Sequence, residues 1–414
     1  MQDKVHRGKL VRLQPYPPFS LLILIYFETF YYAILPERKL FMYRKNKNVD
    51  NRAYKFRLYP NAEQIVLINK TFGCVRFVHN NLLSDKIKHY KATGQSLKKE
   101  VSEYKVDYPF LREVDSFALA NAKVNLETAY KNFFSRDSKF PKFYKKGLHD
   151  SYTTNNVHDN IKIAQHGIKL PKLGVVKAKL HRKIEGKIKN CTISRVAGNY
   201  YISIITELEK VVTPKVDVST VPNDRIIGFD FSVPYFYVDN FDNQIGYPKY
   251  YRETEKKLIK EQKRLSKKSY RSNNYYKQLR KVQKLHLKVM NQRKDFLHKL
   301  SHQLVNDYDI LCFEDINLQE MSQSLRFGKS INDEGFGMFR TFVQYKAERN
   351  GKHFIKIDKW FASTKTCCNC GYKNDDITLN TRDWICPSCN TYHNRDHNAA
   401  INIRNEGYKI ALAM

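Results

Sequence analysis

The first organised stretch of the chain alternates apolar with polar residues. Residues 54–59 place apolar side chains on one face and basic ones on the other, which predicts a half-buried strand. Asn61 and Gln64 then stand three residues apart, the spacing of a helix-capping box. Apolar residues recur at helical spacing from there to about Phe134, so a helical region is predicted after the strand.

Strict alternation returns over residues 151–206, most clearly at 176–181, and Gly198-Asn199 marks a hairpin turn. An isolated strand is not stable in water, so the strand at 54–59 needs partners from this later region. The pattern therefore predicts a small sheet or barrel that is interrupted by a helical insert.

Two short apolar runs in the C-terminal half each end in an acidic residue. Residues 226–230 end in Asp230, and residues 310–314 end in Glu314. Between them, residues 249–299 follow a helical pattern and contain 18 Lys or Arg against 4 Asp or Glu. The apolar stripe of this region predicts core packing, so only the opposite, basic face is a candidate for binding a partner.

The composition is strongly basic. The 414 residues include 73 Lys and Arg against 41 Asp and Glu, which gives a formal net charge of +32. Such an excess along the whole length favours a polyanionic partner, nucleic acid, over a membrane surface. The first 41 residues differ, because residues 19–35 are almost wholly apolar yet short for a membrane span. We expect residues 1–41 to be a non-native extension, with Met42 as the natural start.

Four of the eight cysteines follow the pattern Cys367-x2-Cys370-x15-Cys386-x2-Cys389. Two thiolates from one tight turn reach a single ion, so this spacing predicts a four-cysteine zinc ribbon with one zinc ion. Four thiolates leave no open coordination position, which makes the zinc structural. The other four cysteines do not form a disulfide pattern, and free cysteines are typical of proteins in the reducing cytoplasm.

Asp396 is a third acidic residue of interest, seven residues after the last of these cysteines and at the start of a helical pattern. Two strand ends and a packed helix can bring Asp230, Glu314 and Asp396 together. Carboxylate oxygens suit Mg²⁺, and two such ions clamp the attacking and leaving oxygens when a phosphodiester is hydrolysed. The three carboxylates therefore suggest a divalent-metal nuclease.

A series of motifs carries a family resemblance from about Tyr54 to Ile403. They are 57–61 (RLYPN), 130–134 (YKNFF), 170–174 (LPKLG), 228–230 (GFD), 293–299 (RKDFLHK), 314–317 (EDIN), 365–371 (KTCCNCG) and 395–403 (RDHNAAINI). With them the chain resembles the TnpB (OrfB) family encoded by insertion sequences, relatives of the miniature type V CRISPR effectors.

The resemblance implies an α/β multidomain protein. Its implied parts are a wedge-like β-barrel over 42–60 and 150–222, a helical recognition insert over 61–149, an RNase H-like (RuvC) nuclease core over 223–361 and 395–414, and a zinc ribbon inserted over 362–394.

The resemblance further implies an RNA-guided DNA endonuclease. Its guide RNA would come from the element's own end, and it would need a short motif beside the target DNA. The family's acidic triad maps onto Asp230, Glu314 and Asp396, expected to hold two Mg²⁺ ions, and its zinc ligands map onto the four cysteines. Ser232 and Asn394 depart from common family residues, and neither removes a carboxylate of the triad.

Basic and aromatic residues are the expected nucleic-acid contacts, because a guide–target heteroduplex is held mainly by its backbone. The candidates are Arg57, Arg76, Lys131, Lys142, Tyr144, Lys145 and Lys146. Three other functions stay open: a guide-dependent DNA-binding regulator that does not cut, a DNA-strand transferase, and a plain RNA-binding protein. The intact triad disfavours the first, and the last leaves the triad unexplained.

Overall fold

The computed structural model describes residues 49–147, 150–209, 213–232, 235–316, 335–378 and 380–414. The predictions for the extension over 1–41 and for Met42 lie outside these residues. The chain divides into two compact units, one through Lys210 and one from Val211. The finer division into a wedge, an insert, a nuclease core and a ribbon stays a prediction.

An antiparallel sheet of seven strands is the frame of the first unit. Its strands are β1 (Val49–Tyr59), β2 (Ser151–Asn155), β3 (Lys162–Ala164), β4 (Gly167–Leu170), β5 (Gly174–Lys179), β6 (Lys187–Val196) and β7 (Asn199–Glu209). Their order is β2-β6-β7-β1-β5-β4-β3, and β1 pairs with both β5 and β7. The early strand thus finds its partners beyond the helical region, as its pattern predicted. Since β2 and β3 end the described sheet, closure into a barrel stays a prediction.

The described residues between β1 and β2 form three α-helices: α1 (Ala62–Thr93), α2 (Val101–Asp107) and α3 (Ser116–Phe134). The predicted capping box is confirmed at the start of α1. The Gln64 backbone N–H donates to Asn61 Oδ1 at 2.8 Å, and the Asn61 N–H donates to Gln64 Oε1 at 3.0 Å. Gln64 Nε2 also donates to the carbonyl oxygens of Leu173 and Val175, which ties the helix start to β5.

A mixed sheet of five strands organises the second unit. The strands are β8 (Ile226–Asp230), β9 (Tyr237–Asp239), β10 (Gln244–Ile245), β11 (Ile310–Glu314) and β12 (His353–Ile357), in the order β10-β9-β8-β11-β12. β8, β11 and β12 run parallel, whereas β9 and β10 pair antiparallel. All five residues of β8 are buried, as expected for a parallel strand covered on both faces.

Helices cover both faces of this sheet. Helix α4 (Tyr250–Ser266) packs against α5 (Asn273–Asp307), whereas α5 and α6 (Phe336–Arg349) cover one face of the sheet and α7 (Arg395–Leu412) covers the other. An aromatic core with Phe229, Phe313 and Phe339 fills the face toward α5 and α6. Ile226, Cys312 and Ile403 belong to the core between the sheet and α7. Although α5 has 35 residues, neither it nor another described helix combines the length and the apolar character needed to cross a membrane.

Two glycines allow α7 to lie close against the sheet. A Cβ atom added at Gly228 of β8 would stand 2.5 Å from the Ala400 carbonyl oxygen, and one added at Gly407 of α7 would overlap the Cys312 side chain. Both positions therefore require the absence of a side chain because of the close approach itself.

The cysteine module follows β12 and contains the two-stranded sheet of β13 (Asp383–Ile385) and β14 (Tyr392–Asn394). Two asparagines of α7 fasten the start of the module. Asn398 Nδ2 donates to the Thr366 carbonyl at 2.8 Å, and Asn402 Nδ2 donates to the Ser363 carbonyl at 2.8 Å. Helix α7 thus packs on the sheet and also hydrogen-bonds to the start of the cysteine module.

Candidate active site and metal centre

The alternation of side chains in adjacent parallel strands places two carboxylates on the same face of the sheet. In β8, Ile227 and Phe229 face the aromatic core, so Asp230 points to the α7 side. In β11, Phe313 pairs with Phe229 and also faces the aromatic core, so Glu314 points the same way as Asp230. The two groups stand at the carboxyl ends of neighbouring strands.

The third carboxylate enters from the start of α7. Asn394 caps this helix by accepting a hydrogen bond from the His397 backbone N–H, and Asp396 lies in the first turn. A carboxylate is favoured there by the helix dipole. Asp396 is buried, and its charge raises the pKa of Asp230, so the helix brings it into the same centre as Asp230.

Hydrogen bonds hold both oxygens of Asp396. Arg395 donates through Nε at 3.1 Å and Nη2 at 2.9 Å to Oδ1. Oδ2 accepts from Arg382 Nη1 at 3.1 Å and from the Ser232 hydroxyl at 3.2 Å. Asp396 therefore has two cationic partners and one neutral donor, and its orientation is fixed by residues from three segments of the chain.

Burial disfavours the charged forms of Asp230 and Glu314. Burial raises the pKa of Asp230 well above its usual range, and the carboxylates of Asp396 and Glu314 raise it further, whereas Arg395 and Arg382 lower it. Burial also raises the pKa of Glu314 to about 7. A divalent cation bound by these hard oxygen donors would relieve both the burial penalty and the repulsion, so the donor set fits such an ion.

The four predicted cysteines come together as a compact cluster. Their four Sγ atoms all lie within 4.8 Å of one another. The Sγ atoms of Cys367 and Cys389 are 3.6 Å apart, as are those of Cys370 and Cys386. Tetrahedral bonds of about 2.3 Å place sulfurs about 3.8 Å apart, so the cluster fits a zinc ion.

His393 touches the cysteine cluster without belonging to it. Its Nε2 lies 3.0 Å from Cys367 Sγ, and its ring packs on Trp384, with the ring centroids 4.6 Å apart. The four-cysteine pattern does not include His393, and the structure shows it in contact with one of the four cysteines. Burial lowers the pKa of His393.

The residues predicted to contact nucleic acid are spread over the first unit. Arg57 on β1 lies over the ring of Tyr201 and donates to its hydroxyl at 3.3 Å. The Tyr144 ring stacks on His79, with centroids 3.6 Å apart, so one of its faces is already covered. Half-buried Arg76 and exposed Lys131, Lys142, Lys145 and Lys146 complete the set. Their role stays a prediction.

Sequence reasoning missed the two arginines that hold Asp396. Arg395 precedes Asp396 directly, so its adjacency was a signal that could have been used. Arg382 is 14 residues away across a β-hairpin, and nothing in its local pattern indicates the contact. Ser232 was noted only as a departure from a common family residue, whereas the structure makes it a donor to Asp396.

Fold and site together define a mixed α/β protein with a three-carboxylate centre and a compact cluster of four cysteines. Three family descriptions match the chain. "Probable transposase", the OrfB protein of IS605, matches residues 204–325, and "Cas12f1-like, TNB domain" matches residues 336–403. The "Helix-turn-helix domain" of the same OrfB proteins matches residues 50–95, where the structure has strand β1 followed by the single helix α1.

Several relatives carry the name "Putative RNA-guided DNA endonuclease", and two of them match most of the chain. The protein from Streptomyces pristinaespiralis is 30% identical over 363 residues, which cover 85% of this chain and 88% of the relative. InsQ from Escherichia coli is 29% identical over 383 residues, which cover 87% of this chain and 93% of the relative. The chain belongs to the OrfB (TnpB) family of IS605-type elements.

A solved structure shares the fold. The "Cryo-EM structure of the Cas12f1-sgRNA-target DNA complex" aligns with a TM-score of 0.53 over 86% of this chain and 99% of that chain. The sequence identity is 14%, so the likeness concerns the fold alone.

Proposed function

We propose that this chain is an RNA-guided DNA endonuclease of a transposable element, which cuts target DNA beside a short flanking motif by Mg²⁺-dependent hydrolysis. The observation that carries the proposal is the convergence of Asp230, Glu314 and Asp396 at the carboxyl edge of one sheet. The names of the two relatives and the formal charge of +32 support it.

The carboxylates of Asp230, Glu314 and Asp396 would hold the Mg²⁺ ions. Bound there, the metal would supply charge neutralisation at the phosphodiester and an activated water. Two such ions would clamp the attacking and leaving oxygens of the phosphodiester.

The chain's own residues prepare this centre. Arg395 and Ser232 orient the two oxygens of Asp396, and the half-exposed Arg382 adds a positive charge at the solvent side. The mixed sheet covered by α7 supports an RNase H-like (RuvC) core, and the pairing of β1 with later strands supports a wedge domain around a helical insert.

The zinc ribbon has a structural task in this proposal. Zinc held by Cys367, Cys370, Cys386 and Cys389 fixes the loop that carries Arg382 and the strand that leads into α7. The contacts of Asn398 and Asn402 join the same helix to the start of the ribbon. Zinc thereby supports the position of Asp396 without taking part in the reaction.

The proposed partners are a guide RNA from the element's end and a target DNA. A protein that delegates sequence recognition to base pairing needs cations along the nucleic-acid backbone. The contact set predicted from the sequence in the first unit and the basic face of α4 and α5 would provide them. A short RNA that co-purifies from the native locus and ends in flanking sequence would identify the guide.

A matched pair of variants tests the centre. Glu314 faces α7, whereas its neighbour Asp315 is exposed and pairs with Arg340 at 3.2 Å and Lys356 at 3.4 Å. With the sequenced guide, a matching plasmid and Mg²⁺, we expect Glu314→Gln to lower single-turnover cleavage by a hundredfold or more, on the order of a lost metal ligand. Asp315→Asn should cut within about threefold of the wild-type rate, since isolated surface ion pairs contribute little.

The products separate the remaining alternatives. Cleavage that needs the guide supports the endonuclease. Joined DNA strands formed without RNA would instead identify a strand transferase, and occupancy of the target without strand breaks in Mg²⁺ would identify a binding regulator. Equal cleavage by Glu314→Gln and the wild type would refute the role of the triad.

A further inference from the structure

One of the two tryptophans of the chain stands almost fully in solvent. Trp360 is 81% exposed, whereas Trp384 is 7% exposed and packs inside the cysteine module. Exposing so large an aromatic surface forgoes a substantial hydrophobic gain, so such a side chain commonly marks a binding site.

Topology places Trp360 at the acidic edge of the sheet. β12 runs parallel to β11, and Ile357 is the partner of Glu314 in the register. Trp360 follows Ile357 by three residues, a reach of at most about 10 Å. The indole therefore extends from the same strand edge as the catalytic carboxylates.

The backbone around Trp360 is held in place. The Trp360 N–H donates to Asp358 Oδ1 at 2.7 Å, and the Phe361 N–H donates to the Asp358 carbonyl at 3.1 Å. Phe361 packs on the core between the sheet and α7. Ser363 is fastened to α7 through Asn402. An exposed ring on a fixed turn binds a partner with a smaller loss of conformational entropy.

A cationic side chain lies beside the ring. The Lys359 ammonium lies 4.7 Å from the indole centroid. Asp358, the residue before Lys359, is exposed. A protein-docking patch would extend as an apolar surface. A ring next to a cation is the combination that stacks a nucleic-acid base and binds its phosphate.

We propose that Trp360 stacks on an unpaired base of the DNA strand that lies at the acidic centre, while Lys359 binds a phosphate of the same strand. This inference rests on the proposed function. Trp360 would position the strand so that the scissile phosphate reaches the carboxylates, and a flat ring would accept any base.

Fluorescence tests the stacking independently of cleavage. Trp384→Phe leaves Trp360 as the sole tryptophan, and zinc content checks that the ribbon of this variant is intact. We expect a single-stranded DNA oligonucleotide of mixed sequence to quench this emission in Mg²⁺. The difference in emission between the wild type and Trp360→Phe gives the same information if Trp384→Phe does not fold. Unchanged Trp360 emission at saturating DNA would overturn the proposal.

Cleavage then tests the positioning. The free energy of stacking one base corresponds to a five- to hundredfold change in binding. We therefore expect Trp360→Ala to lower guide-dependent cleavage at sub-saturating target by that factor, and Trp360→Phe to restore part of the loss. The matched control is Phe241→Ala, an exposed aromatic just after β9, which runs antiparallel to β8 and therefore ends at the sheet edge opposite Asp230. It should cut like the wild type.

The outcomes separate the two proposals. If the wild type cuts and Trp360→Ala cuts equally well, the stacking proposal fails and the endonuclease stands. If the wild type does not cut, the endonuclease proposal fails, and the fluorescence titration alone decides whether Trp360 stacks on single-stranded DNA. Equal quenching by an RNA oligonucleotide of the same sequence would extend the site to any single strand, whereas quenching by RNA alone would overturn the assignment to DNA.

Discussion

Gly228→Ala should destabilise the second unit, because α7 passes directly over this position. The added Cβ would stand 2.5 Å from the Ala400 carbonyl oxygen and 2.6 Å from the Arg404 backbone nitrogen. Both neighbours are backbone atoms, so neither can rotate away, and the helix itself must shift. Overpacking of this kind costs about 1–3 kcal/mol, and rigid neighbours place Gly228→Ala at about 2–3 kcal/mol.

Thermal unfolding measures this cost. For a unit of roughly 200 residues each kcal/mol lowers Tm by about 2–4 °C, so we expect a fall of about 4–12 °C in the transition of the second unit. Gly73→Ala is the matched control, since a Cβ there meets nothing within 4 Å inside α1. It should leave Tm unchanged or raise it slightly, because alanine favours a helix by up to about 1 kcal/mol.

The same substitution should also reduce cleavage, since a shift of α7 moves Asp396 away from Asp230. A Gly228→Ala protein with the wild-type Tm would refute the close packing of α7 on β8. A protein with a lowered Tm and unchanged cleavage below that Tm would refute the claim that this packing positions the acidic centre.

Three further predictions concern the metal, the pH and the first unit. Cys386→Ser should lower bound zinc from one ion per chain to well below one by atomic absorption, and a stoichiometry that stays at one would contradict the ligand assignment. Burial raises the pKa of Glu314 from 4.5 to about 7, so the folded protein binds this proton more tightly than the unfolded chain does. The free energy of unfolding of the metal-free protein should therefore fall as the pH rises from about 4.5 through 7, and Glu314→Gln should reduce that fall in denaturant titrations; an identical slope would contradict it. Asn61→Ala removes the capping box of α1 and should destabilise the first unit by about 1 kcal/mol, whereas the exposed Glu63→Gln should change stability by less than half of that.

Local patterns were sufficient to predict the parts of the site that depend on one strand or one turn. Alternation along β8 and β11 fixes which way Asp230 and Glu314 point once the apolar face is known. The capping box at Asn61 and the paired cysteines are likewise short-range features, because each depends on residues within four positions of one another. The strands β8 and β11, the capping box and the cysteine cluster are the elements that the sequence predicted correctly.

Contacts between distant segments were not predictable in the same way. Arg382 reaches Asp396 only because β13 and β14 pair and turn the chain back toward α7. The requirement for glycine at Gly228 likewise follows from the distance between a strand and a helix, which no local pattern encodes. Trp360 belongs to no periodic pattern of apolar residues, and its exposure depends on the turn that follows β12.

In the proposed function, Mg²⁺ held by the three carboxylates promotes guide-directed cleavage of DNA. We would first measure single-turnover cleavage of a guide-matched plasmid by the wild type and by Asp230→Ala, each loaded with the RNA from the native locus. We expect cleavage by the wild type only when guide, matching target and Mg²⁺ are all present, and no cleavage by Asp230→Ala despite equal RNA binding. Cleavage by Asp230→Ala at the wild-type rate, or cleavage by the wild type without RNA, would refute the proposed function.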